Sequence, residues 1–323
     1  MYYVINMLTL PDFKEKKILY ISNIDDSLPN LLKFHNSNIR LYKDNKFVNQ
    51  ISIHLVFCVF ICGTTSITTP LIRNLQEYGI SIFLLTESLK PYAQINAQAE
   101  GNYILRKKQY TLADSSNLEI ARSIVKNKVQ NQISLLRLNK KKLPESIINI
   151  NSKIEKVKNI QELLGLEGSC AYKYYSLIFN NISWSRRAPR TKEDIPNLLL
   201  DIGYTFLFNY VGALLRLFGF DTYKGIYHQL FFQRESLPCD IMEPLRPLVD
   251  QQLIKSYNLK QIKEKDFKFK NGQYFMNIKY NHHYTNIWFT MIMNNKEKIY
   301  KYIYGFYRYF MDRQKNKFPI FQI

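Results

Sequence analysis

A chain of 323 residues with 46% hydrophobic side chains is long enough to bury a large core and to form two domains. Its formal charge of +19 is lopsided: residues 1–100 hold 9 Lys and Arg against 8 Asp and Glu, whereas residues 101–323 hold 36 against 18. Four scattered cysteines, Cys58, Cys62, Cys170 and Cys239, exclude a disulfide framework, and the basic second part points to a polyanion partner, nucleic acid ahead of an acidic membrane surface.

In chain order, "MYYVINMLTLPDF" lacks the basic, apolar and small-residue parts of a signal peptide. The runs "KKILYISN", "IRLYKDNKFVNQISI", "HLVFCVFICG" and "GISIFLLT" read as strands, being β-branched or aromatic and bounded by Asn, Asp, Gly and Ser. Between the last two a short helix is expected, with Thr69 as cap, Pro70 in the first turn and Gly79 at the exit. Its Leu71, Ile72, Leu75 and Tyr78 share the face that packs on the sheet.

From about Gly101 the period becomes helical. "LEIARSIVKNKVQNQISLLRL" places Ile120, Ile124, Val129, Ile133 and Leu136 along one side, with Arg122, Lys126 and Lys128 elsewhere. Further helices are expected at 148–164, 167–180, 194–218, 240–257 and 296–312, the last burying its tyrosine stripe. Asn271-Gly272 between alternating apolar residues predicts a hairpin. Residues 198–220 are apolar enough for a membrane span, but Asp201, Asn209 and Arg216 make them a buried helix of a cytoplasmic protein with no membrane partner.

Three segments of the basic part each offer a strong metal ligand near a turn or helix end: Glu167 in "GLEGSCAYKYY", His228 in "GFDTYKGIYHQLFFQRESLP", and Glu243 in "SLPCDIMEPLRPLVD". Each also has a purely structural reading. Glu167 suits a helix N-terminus, His228 an ordinary hydrogen-bonded histidine, and Asp240-x-x-Glu243 a capping box with Pro244 and Pro247 in its first turn. Together, Glu, His and Glu could hold a hard divalent cation, with Asp240 orienting a ligand and the cation relieving repulsion between Asp240 and Glu243. Spacing alone does not bring the three segments together.

The segments "GLEG…Y" at 165–174, "DIPNLLLDIGYTFL", "GIYH" and "SLPCDIMEPLRPLVD" resemble the signatures of the CRISPR-associated endonuclease and integrase family, Cas-one. "GTTSITTPLIRNLQEYGISIFLL" and "GNYILRKKQY" are similar to its β-domain motif and inter-domain junction. The resemblance implies an α+β fold: a small N-terminal β-sandwich-like domain (1–100, for dimerisation and partner contact), then a larger all-α catalytic domain (101–323) carrying one metal site. It implies Glu167, His228 and Glu243 as ligands of Mg2+ or Mn2+, Asp240 as accessory acid, and Tyr174 as the family's helical tyrosine.

It further implies a homodimer that joins a small Cas-two-like protein and inserts short double-stranded DNA fragments into a repeat array. In that reaction a 3′-hydroxyl attacks a phosphodiester; with water in its place the enzyme is a nuclease. Arg186, Arg187, Arg190 and Lys192 of "SWSRRAPRTK", with Tyr174, are candidate DNA contacts; Arg246 holds a phosphate or, preferably, pairs with Asp240 or Glu243. A branched-DNA nuclease that does not integrate and a non-catalytic DNA-binding paralogue are the alternatives.

Overall fold

The computed structural model describes residues 9–23, 28–97, 102–182, 184–228 and 235–323. Its N-terminal strands are β1 (Lys17–Asn23), β2 (Asn30–His35), β3 (Asn38–Lys43), β4 (Lys46–Ser52), β5 (Val56–Gly63), β6 (Thr65–Ile67), β7 (Ser81–Leu85) and β8 (Pro91–Ile95). They form two four-stranded sheets, ordered β1-β5-β7-β8 and β4-β3-β2-β6. In the first, β1, β5 and β7 run parallel and β8 antiparallel. The second is antiparallel except for the β2–β6 pair.

The sheets share a core of Ile21, Leu32, Ile39, Val59, Ile61 and Ile82, closed by Leu71 and Leu75 of α2 (Thr69–Glu77). Side chains alternate along a strand, so β5 sends Val59 and Ile61 into this core and Cys58, Phe60 and Cys62 into the helical one. That is why residues 56–62 are apolar without interruption: the strand is covered on both faces. The expected pairing of sheets is present, but one of them is mostly parallel and faces helices on its far side. The α2 cap falls on Thr68, and Tyr78 is exposed instead of packed on the sheet.

The remaining elements are α1 (Leu10–Lys14), α3 (Tyr103–Tyr110), α4 (Asp114–Leu138), α5 (Glu145–Ile148), α6 (Ile150–Lys156), α7 (Ile160–Ile178), α8 (Ile195–Leu217), α9 (Ser236–Met242), α10 (Arg246–Asn258), β9 (Phe267–Lys270), β10 (Gln273–Met276) and α11 (Asn281–Met311). The expected change of pattern at Gly101 lies outside the described residues. The larger part is not all-α: Asn271 and Gly272 both take positive φ, 51° and 75°, and close the β9–β10 hairpin.

Helix boundaries depart from expectation in three places. The run expected at 240–257 is the end of α9, a tighter turn at 243–245 and α10. The run expected at 148–164 is the end of α5, all of α6 and the start of α7, which Asn159 caps by accepting from the Glu162 N–H at 2.9 Å. Glu167 therefore lies inside α7, not at a helix entrance. Helix α11 starts 15 residues before the expected 296, because Tyr284, Trp288 and Ile292 extend its buried row at four-residue steps.

Helix α8 is long and apolar enough to cross a membrane by length and composition, yet 83% of its most apolar window is buried inside the protein. Gly203 sits where α10 and α11 cross it: a Cβ there would meet Val249 at 2.7 Å and Trp288 at 3.0 Å. Phe60 of β5 packs on Phe206 and Phe289, tying the sheet to α8 and α11. Most of the tyrosine stripe of α11 packs inward, with Tyr300, Tyr302 and Tyr309 buried and Tyr304 exposed. The four cysteines are buried and unpaired with one another.

Candidate active site

Helix α4 supplies the central charge. Ile120, Ile124, Lys128 and Gln132 follow one another at four-residue spacing, so the row that starts as hydrophobic core turns polar halfway along. Lys128 is 6% exposed and lies on the buried row, not apart from it as expected. Its ammonium donates to Oε1 of Glu167 on α7 and lies 2.6 Å from Oε2 of Glu243, at the turn between α9 and α10. Burial works against the lysine charge, but the two glutamates outweigh it and hold the ammonium protonated far above its ordinary range.

Glu243 is fixed from the other side by Arg246, whose Nε donates to Oε1 at 2.9 Å. Burial would raise this carboxyl; Arg246 and then Lys128 overcome that and pull it down to about 2. The Arg246 pair is the internal one preferred from sequence. Pro244 fits the turn because its ring sits where a helix start needs no N–H donor.

Asp240 answers to different partners. Its Oδ2 accepts from the N–H groups of Ile226 at 2.6 Å and Tyr227 at 3.0 Å, and its Oδ1 from that of His228 at 2.9 Å. The His228 ring places Nδ1 2.6 Å from the same Oδ1. This overturns the capping box: Asp240 lies within α9 and holds the 226–228 turn instead of its own helix end. It also removes the reason to expect one cation between Asp240 and Glu243, since each carboxylate has its own compensation. Gly225 is required here, as a Cβ would meet Ser236 at 2.6 Å, the His228 carbonyl at 2.9 Å and Asp240 at 3.1 Å.

Among the described residues, no three His, Cys, Asp or Glu side chains stand close enough together to hold a metal ion. Glu167 and Glu243 meet on the Lys128 ammonium, while the Nδ1 of His228 faces Asp240. The donors nonetheless suit a divalent cation. Glu243 Oε2 is buried, touches a charge and accepts no well-aligned hydrogen bond. An Nδ1–H facing Asp240 leaves the lone pair of His228 on Nε2, the arrangement by which a carboxylate orients a metal-binding histidine.

The predicted DNA contacts separate into two groups. Arg187 turns inward, donating to Asn197 at 2.8 Å and pairing with Asp201 at 2.5 Å. Arg186 and Arg190 are exposed; Arg186 pairs with Glu193 at 3.2 Å, and the Arg190 N–H donates to Asp201 at 2.8 Å. Lys192 lies over the Phe275 ring at 5.3 Å. Tyr174 is corrected: it is fully buried, and its hydroxyl donates to Asp250 at 2.8 Å, out of reach of DNA.

Asp250 and Tyr204, absent from the sequence reading, organise the space behind the site. Tyr174 and Tyr204 both donate to Asp250. Tyr204 in turn lies under both Arg246, at 4.7 Å, and Arg187, at 5.4 Å. One aromatic ring thus connects the arginine restraining Glu243 to the arginine anchoring the basic loop.

By fold, the chain is similar to solved structures of CRISPR-associated and casposase proteins. It superposes on the CAS1 protein from Thermotoga maritima with a TM-score of 0.81 at 22% identity, covering 92% of this chain and 97% of that one. A casposase bound to integration product gives 0.78 at 19% identity, covering 94% and 93%, and a chain of a Cas6-RT-Cas1–Cas2 complex gives 0.76 at 21%, covering 95% of this chain and 36% of that one. The family model described as CRISPR associated protein Cas1 matches residues 27–289, and the chain belongs to that family. It is 30% identical over 252 residues, 73% of its length and 79% of the relative's, to CRISPR-associated endonuclease Cas1 1 of Thermodesulfovibrio yellowstonii.

Proposed function

We propose that this protein is a metal-dependent DNA integrase of CRISPR adaptation that joins the 3′-hydroxyl ends of short DNA fragments to a repeat array. The single observation that supports this best is the meeting of Glu167 and Glu243 on one positive charge, beside a histidine held by Asp240. Residues 101–323 form the catalytic domain in this reading, and residues 1–100 the domain for dimerisation and partner contact.

Glu167, Glu243 and Nε2 of His228 would hold Mg2+ or Mn2+, which when bound polarises a phosphodiester oxygen and offsets charge on the attacking or leaving oxygen. Asp240 keeps the His228 ring in the tautomer and position that present Nε2. Arg246 restrains Glu243 so that its second oxygen stays directed into the site. Arg186, Arg190 and Lys192 line the approach for the phosphate backbone, with Arg187 bracing their loop from inside. Alignment and charge neutralisation supply the rate, with no covalent role for the protein.

The partners are double-stranded DNA, a second copy of the chain and a Cas2-like protein, and the setting is cytoplasmic. Similarity to a casposase on an integration product and to a Cas1–Cas2 complex supports these choices, and the burial of α8 supports the lack of a membrane partner.

The test is a supercoiled plasmid incubated with a 3′-hydroxyl oligonucleotide and Mn2+. A joined product is expected, lost on chelation and in Glu167→Gln or Glu243→Gln. Cutting without joining would favour the branched-DNA nuclease, and neither activity the non-catalytic paralogue.

A further inference from the structure

Lys128 is buried on the inward row of α4, with its ammonium on both Glu167 and Glu243. These are two of the residues assigned to the cation above, and the inference rests on that reading. An ammonium between the buried Glu243 carboxylate and the half-buried Glu167 carboxylate neutralises like charges that would otherwise be forced together. The oxygens it touches are those a dication would need, and two cations in contact with one pair of oxygens repel strongly. The lysine head is carried on four flexible carbons, so it can leave while α4 stays in place. The Glu243 turn stays in place too, because the Asn131 amide on α4 donates to the Pro244 carbonyl at 2.8 Å.

We infer that Lys128 is an internal competitor for the metal: its ammonium keeps Glu167 and Glu243 assembled in the metal-free protein and must leave them when a divalent cation binds. Lys128 is thereby a positioning residue that sets how tightly the cation is held. The site keeps its shape without metal, and its affinity is lower than two glutamates and a histidine would give alone.

The test is a Mn2+ titration of the full chain, read by the electron paramagnetic resonance of free Mn2+ and by thermal unfolding with and without the ion. Wild type, Lys128→Met, Lys128→Arg and Glu167→Gln are compared. Lys128→Met is expected to unfold at a lower temperature without metal, to recover with it, and to bind Mn2+ about tenfold tighter. Lys128→Arg, whose fork grips carboxylates in two places, is expected to bind Mn2+ more weakly than wild type. A purely structural lysine would leave affinity unchanged or reduced in Lys128→Met. Mn2+ binding that is lost in Glu167→Gln but equal in wild type, Lys128→Met and Lys128→Arg overturns the competition and leaves the metal reading standing. No Mn2+ binding by any of the proteins overturns both. Should Lys128→Met fail to fold, Lys128→Arg decides alone: affinity equal to or above wild type overturns the inference.

Discussion

Asp240 holds His228 twice, accepting its backbone N–H at 2.9 Å and meeting its ring Nδ1 at 2.6 Å. One carboxylate therefore fixes the histidine's position and its tautomer together. Asn in its place presents one acceptor oxygen and an NH2 group, and the NH2 opposes the two donors that one Asp240 oxygen now receives. Asp240→Asn is expected to lower Mn2+ affinity and strand transfer by about 10–100-fold. Calorimetric Mn2+ titration beside the plasmid-joining assay checks this; unchanged values would mean that the pair serves folding alone.

The basic loop divides by function according to where each arginine points. Arg186 and Arg190 are exposed, so replacing either with Ala is expected to weaken DNA binding evenly across sequences and to reduce the slope of log affinity against log salt by about 1. Arg187 lies inward on Asp201, and Arg187→Ala is expected to cost about 2 kcal/mol of stability by leaving that carboxylate with the Arg190 N–H but without its charged partner. Fluorescence anisotropy at several salt concentrations and urea unfolding separate the two effects. A normal melt with a reduced salt slope in Arg187→Ala would reverse the assignment.

Asp250 makes stability depend on pH in a direction unusual for a carboxylate. Burial raises it from 3.8 to about 6, against the opposing hydrogen bonds of Tyr204 and Tyr174. The folded chain thus keeps a proton that the unfolded chain releases, and the stability this contributes is full below about pH 4 and lost as pH rises through 6. Glu243, held at about 2 in the fold, begins to lose its own contribution below about pH 4.5, but equally in wild type and in an Asp250 variant. Asp250→Asn removes the ionisation, so its stability relative to wild type is expected to improve by about 2 kcal/mol between pH 4 and pH 7. Urea unfolding of both proteins across that range measures it; a constant difference would show that Asp250 ionises alike in both states.

Features specified by neighbouring residues were legible in the sequence. The Asn271-Gly272 turn needs two positive φ angles and names its own residues, and the tyrosine stripe of α11 carried its helical period. The Gly225, His228, Asp240 and Glu243 segments were recognisable as a set, but their mutual roles were not. A three-residue separation between carboxylates looks like a cap until the distant backbone that one of them binds is known. Lys128 went unread because its partners lie 39 and 115 residues away on other helices. Its four-residue spacing from Ile120 and Ile124 was the available signal. Nothing near Tyr174 in the sequence marks it as inward, because its partner, Asp250, is 76 residues away.

The most direct test of the account is anomalous diffraction from crystals grown with Mn2+. The expected result is a single peak bounded by Glu167, Glu243 and Nε2 of His228, with the Lys128 ammonium displaced from both carboxylates. A peak elsewhere in the molecule, with Lys128 still bridging the two glutamates, would contradict it.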